Sequence, residues 1–166
     1  MTRDSLQRLR SLSNAPIQAT YGYAPGFSLA TNLTVTNAGG WVLAKQIQWD
    51  FHNRRMTNIS YWLGTNLVYS YAYRYVANDD RIEQITREDG TTWNYSYTAQ
   101  GRLSLGGKQF ADGTPWQGRE YGYAYDGAGN TREAGPLRAT TQQGRYHFLA
   151  NLNNIHTTRT WDTRIP

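Results

Sequence analysis

The feature that most constrains the fold is an alternation of large aromatic residues that runs into a turn of small polar residues. In residues 119–135, REYGYAYDGAGNTREAG, three alternating tyrosines are followed by Asp126, Gly129 and Asn130. Alternation with a period of two is typical of a β-strand with two different faces. Asp, Asn and Gly tolerate the backbone conformations that tight turns need. The segment therefore predicts a strand that ends in a hairpin turn.

The same pattern recurs along the chain. The last aromatic residue of each alternating run can be taken as an anchor, and six such anchors occur: Tyr23, Trp49, Tyr75, Tyr97, Tyr125 and Phe148. Successive anchors are 26, 26, 22, 28 and 23 residues apart. A turn and a short second strand follow the anchors, and we expect these second strands at 56–60, 82–87, 103–110 and 131–133. The repetition predicts an all-β fold of consecutive antiparallel hairpins, a meander in a twisted, curved sheet.

The composition agrees with an all-β class. Aromatic residues make up 14% of the chain, and 16 glycines supply turn positions. Stretches rich in Ala, Leu, Glu and Lys, which helices favour, are missing. Any core must therefore use aromatic rings whose hydroxyl and indole N–H groups need hydrogen-bond partners.

Three strands are predicted most sharply, at 69–76, 93–98 and 120–125. Within the last of them, Tyr121, Tyr123 and Tyr125 should share one face, with the small residues between them on the other. Gly101 and Gly129 are predicted turn positions, because each follows an aromatic run by four residues.

The N-terminal segment leaves two interpretations open. Leu6, Leu9 and Leu12 recur every three residues, and Asp4 is a possible helix cap. Against this, Arg8-Leu9 follows Asp4 much as Arg102-Leu103 follows Thr98. We prefer the second interpretation, a half-repeat whose aromatic strand is missing; the alternative is a short helix that caps the sheet.

The positive charge is carried almost entirely by arginine. The net charge is +5, and of 17 basic residues only Lys45 and Lys108 are lysines. The arginines are scattered, and many lie just after a predicted turn. Since guanidinium groups stack on aromatic rings and pair with carboxylates, we interpret these arginines as structural and consider nucleic-acid binding unlikely as a function.

No residue pattern predicts a catalytic, cofactor-binding or metal-binding site. The three histidines, at positions 52, 147 and 156, lack metal-ligand spacing, and the acidic cluster Asp79, Asp80 and Glu83 lacks the spacing of a calcium loop. The chain has no cysteine, which excludes disulfides and thiol catalysis. Rows of exposed tyrosine and tryptophan remain a candidate surface for sugars, although cross-strand aromatic pairing explains them as well.

Two segments resemble a known repeat. Tyr125-Asp126-x-x-Gly129-Asn130 and Tyr97-x-x-x-Gly101-Arg102-Leu103 are similar to the YD repeat of RHS proteins. The segment GKQFADGTPWQG at 107–118 is similar to a connector between such repeats. The likeness is strongest over 71–135, while Trp49 and Phe148 depart from the repeat tyrosine. It identifies these structural repeat positions: Tyr23, Trp49, Tyr75, Tyr97, Gly101, Arg102, Tyr121, Tyr123, Tyr125, Asp126, Gly129 and Asn130.

The resemblance implies a role and an organisation. RHS-type hairpins pair edge to edge in a spiralling sheet, which in bacterial members forms a shell around a toxin. By this resemblance, 1–20 is a degenerate half-repeat or short N-terminal cap, 21–148 holds the repeats, and 149–166 is a degenerate tail. The chain would be a fragment or shortened relative of such a shell.

The implied function is that of a non-catalytic structural module with no cofactor. Its expected partners are further copies of itself, joined through sheet edges into an oligomer or filament, or a larger RHS shell with toxin cargo. The alternative function is a carbohydrate- or polymer-binding module. The resemblance implies an extracellular or cell-surface location, although residues 1–16 lack the apolar core of a signal peptide and no apolar run is long enough to span a membrane.

Overall fold

The computed structural model describes residues 1–136, 146–150 and 156–161, and in these ranges all regular structure is β-strand. The predicted all-β class is therefore confirmed. The strands are β1 (Thr2–Arg3), β2 (Leu9–Asn14), β3 (Ile17–Tyr23), β4 (Ala30–Asn37), β5 (Val42–Asp50), β6 (Arg55–Leu63), β7 (Asn66–Tyr75), β8 (Ile82–Arg87), β9 (Thr92–Tyr97), β10 (Leu103–Gln109), β11 (Pro115–Tyr125), β12 (Thr131–Pro136), β13 (Tyr146–Ala150) and β14 (His156–Trp161).

The chain divides into two compact units, residues 1–89 and 90–166. In the first unit, β1 to β8 each pair antiparallel with their neighbours in sequence. In the second unit, β9 to β14 do the same. Each unit is thus a meander of hairpins, as the repeated aromatic runs predicted. The divisions predicted at residues 20 and 148 are based on the repeats and stay predictions.

The three sharply predicted strands correspond to β7, β9 and β11, although the first two were predicted to end one residue later, at 76 and 98. Three strands were not predicted, namely β1, β4 and β14. The longest of them, β4, has the sequence ATNLTVTN, carries no aromatic residue and alternates Thr with Leu and Val. In β11 the register runs unbroken from Tyr121 to Ala124 and shifts between Ala124 and Tyr125. Tyr121 and Tyr123 therefore share a face, while Tyr125 follows an irregularity.

The N-terminal segment is a hairpin and not a helix. The backbone N–H of Asp4 donates to the carbonyl of Arg8 (3.0 Å), and that of Gln7 donates to the carbonyl of Asp4 (3.0 Å). The same two bonds close the turn at 98–102. The helical interpretation of the leucine spacing is wrong, because Leu6 lies in the turn and Leu9 begins β2.

Five turns share this geometry. In each, the first N–H donates to the fifth carbonyl and the fourth N–H to the first carbonyl, which describes a type I turn followed by a left-handed residue. The fourth residue has positive φ in every case: 62° at Gln7, 78° at Gly40, 81° at Gly101, 85° at Gly113 and 91° at Gly129. The prediction that Gly101 and Gly129 are turn positions is confirmed.

The two faces of the first unit differ in chemistry. Cross-strand partners share a face, and the register places Tyr21, Leu33, Lys45, Tyr61 and Tyr69 in one row and Leu12, Ala19, Val35, Leu43 and Leu63 in the next. We call this the aromatic face. The opposite, polar face includes the row Asn32, Gln46, Ser60 and Ser70.

Very little of the described structure is buried. Among the described residues, Ala24 and Ile59 are the buried apolar side chains and Ser60 and Thr91 the buried polar ones. An ordinary domain of this length packs a second layer on its sheet. Here the strands must be held by contacts within the sheet, because among the described residues no large side chain is fully enclosed.

We predict that Gln7→Gly stabilises the protein. A left-handed backbone costs a residue other than glycine about 1–2 kcal/mol, and part of the gain is lost to the freer unfolded chain. The free energy of unfolding, measured with urea, should therefore rise by about 1 kcal/mol. Gly101→Gln, the reverse change in an equivalent turn, should lower it. Equal stability of both variants and the parent would contradict the shared turn geometry.

A repeated arginine–tyrosine clamp as the candidate functional site

The anchor tyrosines hydrogen-bond to the preceding strand. The hydroxyl of Tyr23 donates to the carbonyl of Leu9 (3.0 Å), that of Tyr75 to Met56 (2.7 Å) and that of Tyr125 to Leu103 (2.7 Å). Each tyrosine ends its strand, and each acceptor lies at or next to the start of the strand before it. These partly buried hydroxyls thus find the partners that aromatic residues in a sheet require.

An arginine covers each of these rings. The guanidinium carbon of Arg8 lies 4.5 Å from the ring centre of Tyr23, that of Arg55 lies 4.7 Å from Tyr75, and that of Arg102 lies 5.5 Å from Tyr125. In every case the arginine directly precedes the residue whose carbonyl accepts the tyrosine hydroxyl. We call this combination of stacking and hydrogen bonding the arginine–tyrosine clamp.

Strand direction explains how the clamp forms. In a meander the end of one strand and the start of the preceding strand lie at the same end of the sheet, about 4.8 Å apart. The arginine stands where a turn enters that preceding strand, and the tyrosine stands where the next strand leaves for the next turn. The clamp therefore joins two consecutive turns on one end of the sheet.

The first two arginines also bind the turn to which they belong. Arg8 Nε lies 2.6 Å from an Asp4 carboxylate oxygen, and Arg55 Nη2 lies 3.3 Å from one of Asp50. The turn of Arg102 has Thr98 in place of aspartate, and the Thr98 hydroxyl accepts from the backbone N–H of Arg102 (3.3 Å).

Each clamp arginine also reaches the next turn. Arg8 Nη1 donates to the carbonyl of Phe27, and Arg55 Nη1 donates to that of Asp79 at 2.6 Å. Arg102 lies against Gly129, where any added Cβ would overlap the guanidinium group. Two features thus require glycine at position 129: the positive φ of the backbone and the lack of space for a side chain beside Arg102.

One position replaces the clamp with another contact. Trp49 ends β5, and its indole N–H donates to the carbonyl of Ala30 (2.8 Å). No arginine precedes Ala30 in sequence, and Phe27 and Phe51 of the two flanking turns stack with ring centres 5.8 Å apart. The tryptophan therefore keeps the hydrogen bond of the anchor, while two stacked rings take the place of the arginine.

Asn130 takes the arginine position in the turn at 126–130. Its side-chain amide donates to Asp126 (3.0 Å), and its backbone N–H donates to the same carboxylate (2.8 Å). The anchor that would follow, Phe148, lies in β13, but its side chain is outside the described residues. Tyr97 ends β9, the place that anchors occupy in the other aromatic strands.

The turn carboxylates are held in their charged form. The side-chain amide of Asn130, with backbone N–H groups, lowers the pKa of Asp126. Asn53 and Arg55 do the same for Asp50, and Arg81 does it for Asp79. At Asp4 burial works against ionisation, but hydrogen bonds from Arg8 and Leu6 outweigh it and the pKa is lowered.

A second aromatic cluster lies on one face of the second unit. The Trp93 ring stacks on Tyr95 and on Tyr121, with ring centres 6.4 and 6.3 Å apart. Gly106 of the intervening strand is the register partner of both tyrosines, so rings from β9 and β11 meet above a residue without a side chain. Tyr121 thus belongs to this cluster and not to a clamp, and Tyr123 shares its face of β11.

Sequence reasoning included Arg102 and Tyr125 among the repeat positions but did not pair them. It missed Arg8 and Arg55 as members of the same site. Their signal was present, since arginines after turns were interpreted as ring-stacking residues. The sequence did not reveal which ring each arginine would contact, because that ring lies in the following hairpin and not in the hairpin that contains the arginine.

His52 and the acidic cluster considered in the sequence analysis contact the turns and strands around them. His52 lies in the turn after β5, where its backbone N–H donates to the Asp50 carboxylate (3.0 Å). The side chains of His147 and His156 are outside the described residues. Asp79 pairs with Arg81, and Glu83 pairs with Arg74 at 3.1 Å. Within the described ranges no three side chains form a metal-binding group, and no helix is long and apolar enough to cross a membrane.

No protein-family model matches the chain, and no curated protein matches it significantly. The features that bear on function are therefore the clamp, the turns that it joins and the exposed faces of the sheet.

We predict that Tyr125→Phe lowers the free energy of unfolding by about 0.5–1.5 kcal/mol, because the carbonyl of Leu103 loses its donor. Tyr69→Phe, at an exposed position, is the control and should change stability far less. Combining Tyr125→Phe with Arg102→Gln in a double-mutant cycle should give a non-additive result, since both side chains contact one another. Strict additivity would contradict a coupled clamp.

We also predict loss of stability in acid. Asp50, Asp79, Asp112 and Asp126 all have a pKa lowered from the ordinary value of 3.8, so the folded state binds their protons less tightly than the unfolded state. Their contribution is fully present above pH 3.8 and is lost as the pH falls through the lowered values. The urea midpoint should be level near pH 6 and should fall below about pH 4. Asp126→Asn should reduce that fall; a flat profile down to about pH 2.5 would rule out this role.

Proposed function

We propose that the chain is a structural β-repeat module of RHS type that builds a shell, ring or filament-like assembly. The observation that supports this most is the clamp, which links consecutive hairpins twice in the described part of the first unit and once in that of the second. A contact that joins each hairpin to the next is what an extendable array needs. The proposed role is geometric and involves no reacting group.

The energetics also favour an array. The sheet of each unit buries few side chains, so its stability depends on contacts between neighbouring strands. In repeat proteins stability is approximately a sum of such nearest-neighbour terms. Each clamp adds a hydrogen bond worth about 1 kcal/mol and a cation–π contact of about 0.5–1 kcal/mol. Further hairpins would add the same increments.

The first strand supplies an edge for assembly. β1 is only two residues long and pairs with β2, so its other side presents backbone groups of the kind that accept another strand. In this proposal the end of one copy adds to the start of the next. Such a head-to-tail contact closes as a ring or continues as a filament. A larger RHS shell with toxin cargo is the form that the sequence resemblance implies.

A second function is favoured by one observation, the exposure of rings on the aromatic face of the first unit. Tyr69 and Trp41 are about half exposed. These rings suit a carbohydrate or polymer ligand.

We predict that the protein is larger than its monomer mass of 18.9 kDa in solution, and that its mass falls on dilution over a hundredfold range. Light scattering after size exclusion measures this directly. Thr2→Pro should reduce the assembly, because proline disrupts pairing on an edge strand. Ser5→Pro is the matched control, since proline is favoured at the second position of a type I turn. A constant mass of 18.9 kDa for the parent would overturn the assembly.

A further inference from the structure

We propose that the aromatic face of the first unit binds an acidic polysaccharide. The site consists of Arg10, Leu43, Lys45, Tyr61 and Tyr69, with Trp41 two residues before Leu43 at the end of the preceding turn. The proposal rests on the second proposed function and names its ligand class. It does not depend on the structural role, because it concerns a face of the sheet and not an edge or a clamp.

The centre of the site is a row in register. Lys45 is the cross-strand partner of Tyr61, and Tyr61 is the partner of Tyr69, so the three side chains stand side by side on one face. The Lys45 ammonium lies 5.7 Å from the ring centre of Tyr61. Leu43 is two residues before Lys45 in β5 and Arg10 two before Leu12 in β2, which places both on the same face.

The site is open to ligand. Tyr69 is 51% exposed, Trp41 46% and Leu43 37%. The anchor tyrosines of this unit are more covered, because arginines lie over their rings and their hydroxyls bind backbone. No clamp arginine covers the ring of Tyr69 and its hydroxyl does not anchor a neighbouring strand, so the ring face and the hydroxyl are available to another molecule.

The charge on this face has one sign. Its strand residues include Arg10, Lys45 and Arg87, and Arg87 already pairs with Glu88 beside the following turn. The other described carboxylates of the unit lie in or beside turns or, like Glu83, pair with Arg74 of the polar face. Asp4 and Asp50 are already bound to clamp arginines. A ligand that complements the face must therefore bring its own negative charge.

Charge also decides between possible occupants. A second copy packed face to face would set Arg10 and Lys45 against cations, since Glu88 already pairs with Arg87 of this face. Nucleic acid would need cations for many successive phosphates, and the site itself offers two, Arg10 and Lys45. A uronic-acid polymer fits both features, since its C–H faces pack on tyrosine rings while its carboxylates pair with lysine and arginine.

The test is a titration with polygalacturonate, compared with amylose as a neutral polysaccharide, polyglutamate as an acidic peptide and a single-stranded oligothymidylate. We expect polygalacturonate to bind most tightly. Lys45→Gln and Tyr69→Ala should each weaken that binding by about tenfold, the effect of losing a charged contact or a stacked ring. Arg74→Gln and Leu67→Ala, which make similar changes on the polar face, should bind as the parent does.

The competing outcomes are distinguishable. No binding of polygalacturonate, or equal losses in the polar-face variants, would overturn the proposal. Equal binding of polyglutamate or oligothymidylate would show a charge effect without sugar recognition, and equal binding of amylose would remove the acidic requirement. Circular dichroism of every variant checks that the sheet is intact, and light scattering on the same samples reports assembly separately.

Discussion

The structure depends on the stacking of an arginine over the tyrosine of the next hairpin. A sheet without a second layer has no packed core to select its register, and a slip of one residue would exchange its faces. The clamp prevents this, because the hydroxyl of Tyr125 reaches the carbonyl of Leu103 and the guanidinium of Arg102 lies over the same ring. The position of one strand against the next is therefore fixed at the strand ends.

This arrangement explains the preference for arginine over lysine. Arg55 stacks on Tyr75, pairs with Asp50 and donates to the carbonyl of Asp79, three tasks for one planar group with five N–H donors. A lysine ammonium group is not planar, so it does not stack on a ring in this way, and it lacks the fixed pair of N–H donors of a guanidinium group. The two lysines lie instead on sheet faces, where Lys45 and Lys108 each approach one aromatic ring.

Sequence alone predicted the strands that carry alternating aromatic residues and the turns that carry glycine, because both signals are local. It missed β4, whose Thr-rich alternation has no aromatic residue. It left the N-terminus open between a helix and a half-repeat, since leucines three apart fit a helix and only the turn bonds of Asp4 decide the question. The clamp could not be predicted from the sequence, for a different reason. Arg8 and Tyr23 are far apart in sequence, and only strand pairing brings them together.

Residues at the strand ends and residues on the sheet faces have different roles, and this difference bears on function. Within each unit, anchors, arginines and turn carboxylates contact one another at the strand ends, so their charges and hydroxyls serve the fold. On the first unit the side chains between the strand ends separate into a polar row around Gln46 and an aromatic row around Tyr61. A module used only as a spacer would have no need for half-exposed rings beside unpaired cations. The asymmetry of the faces is therefore the feature that supports the proposed binding role of the aromatic face.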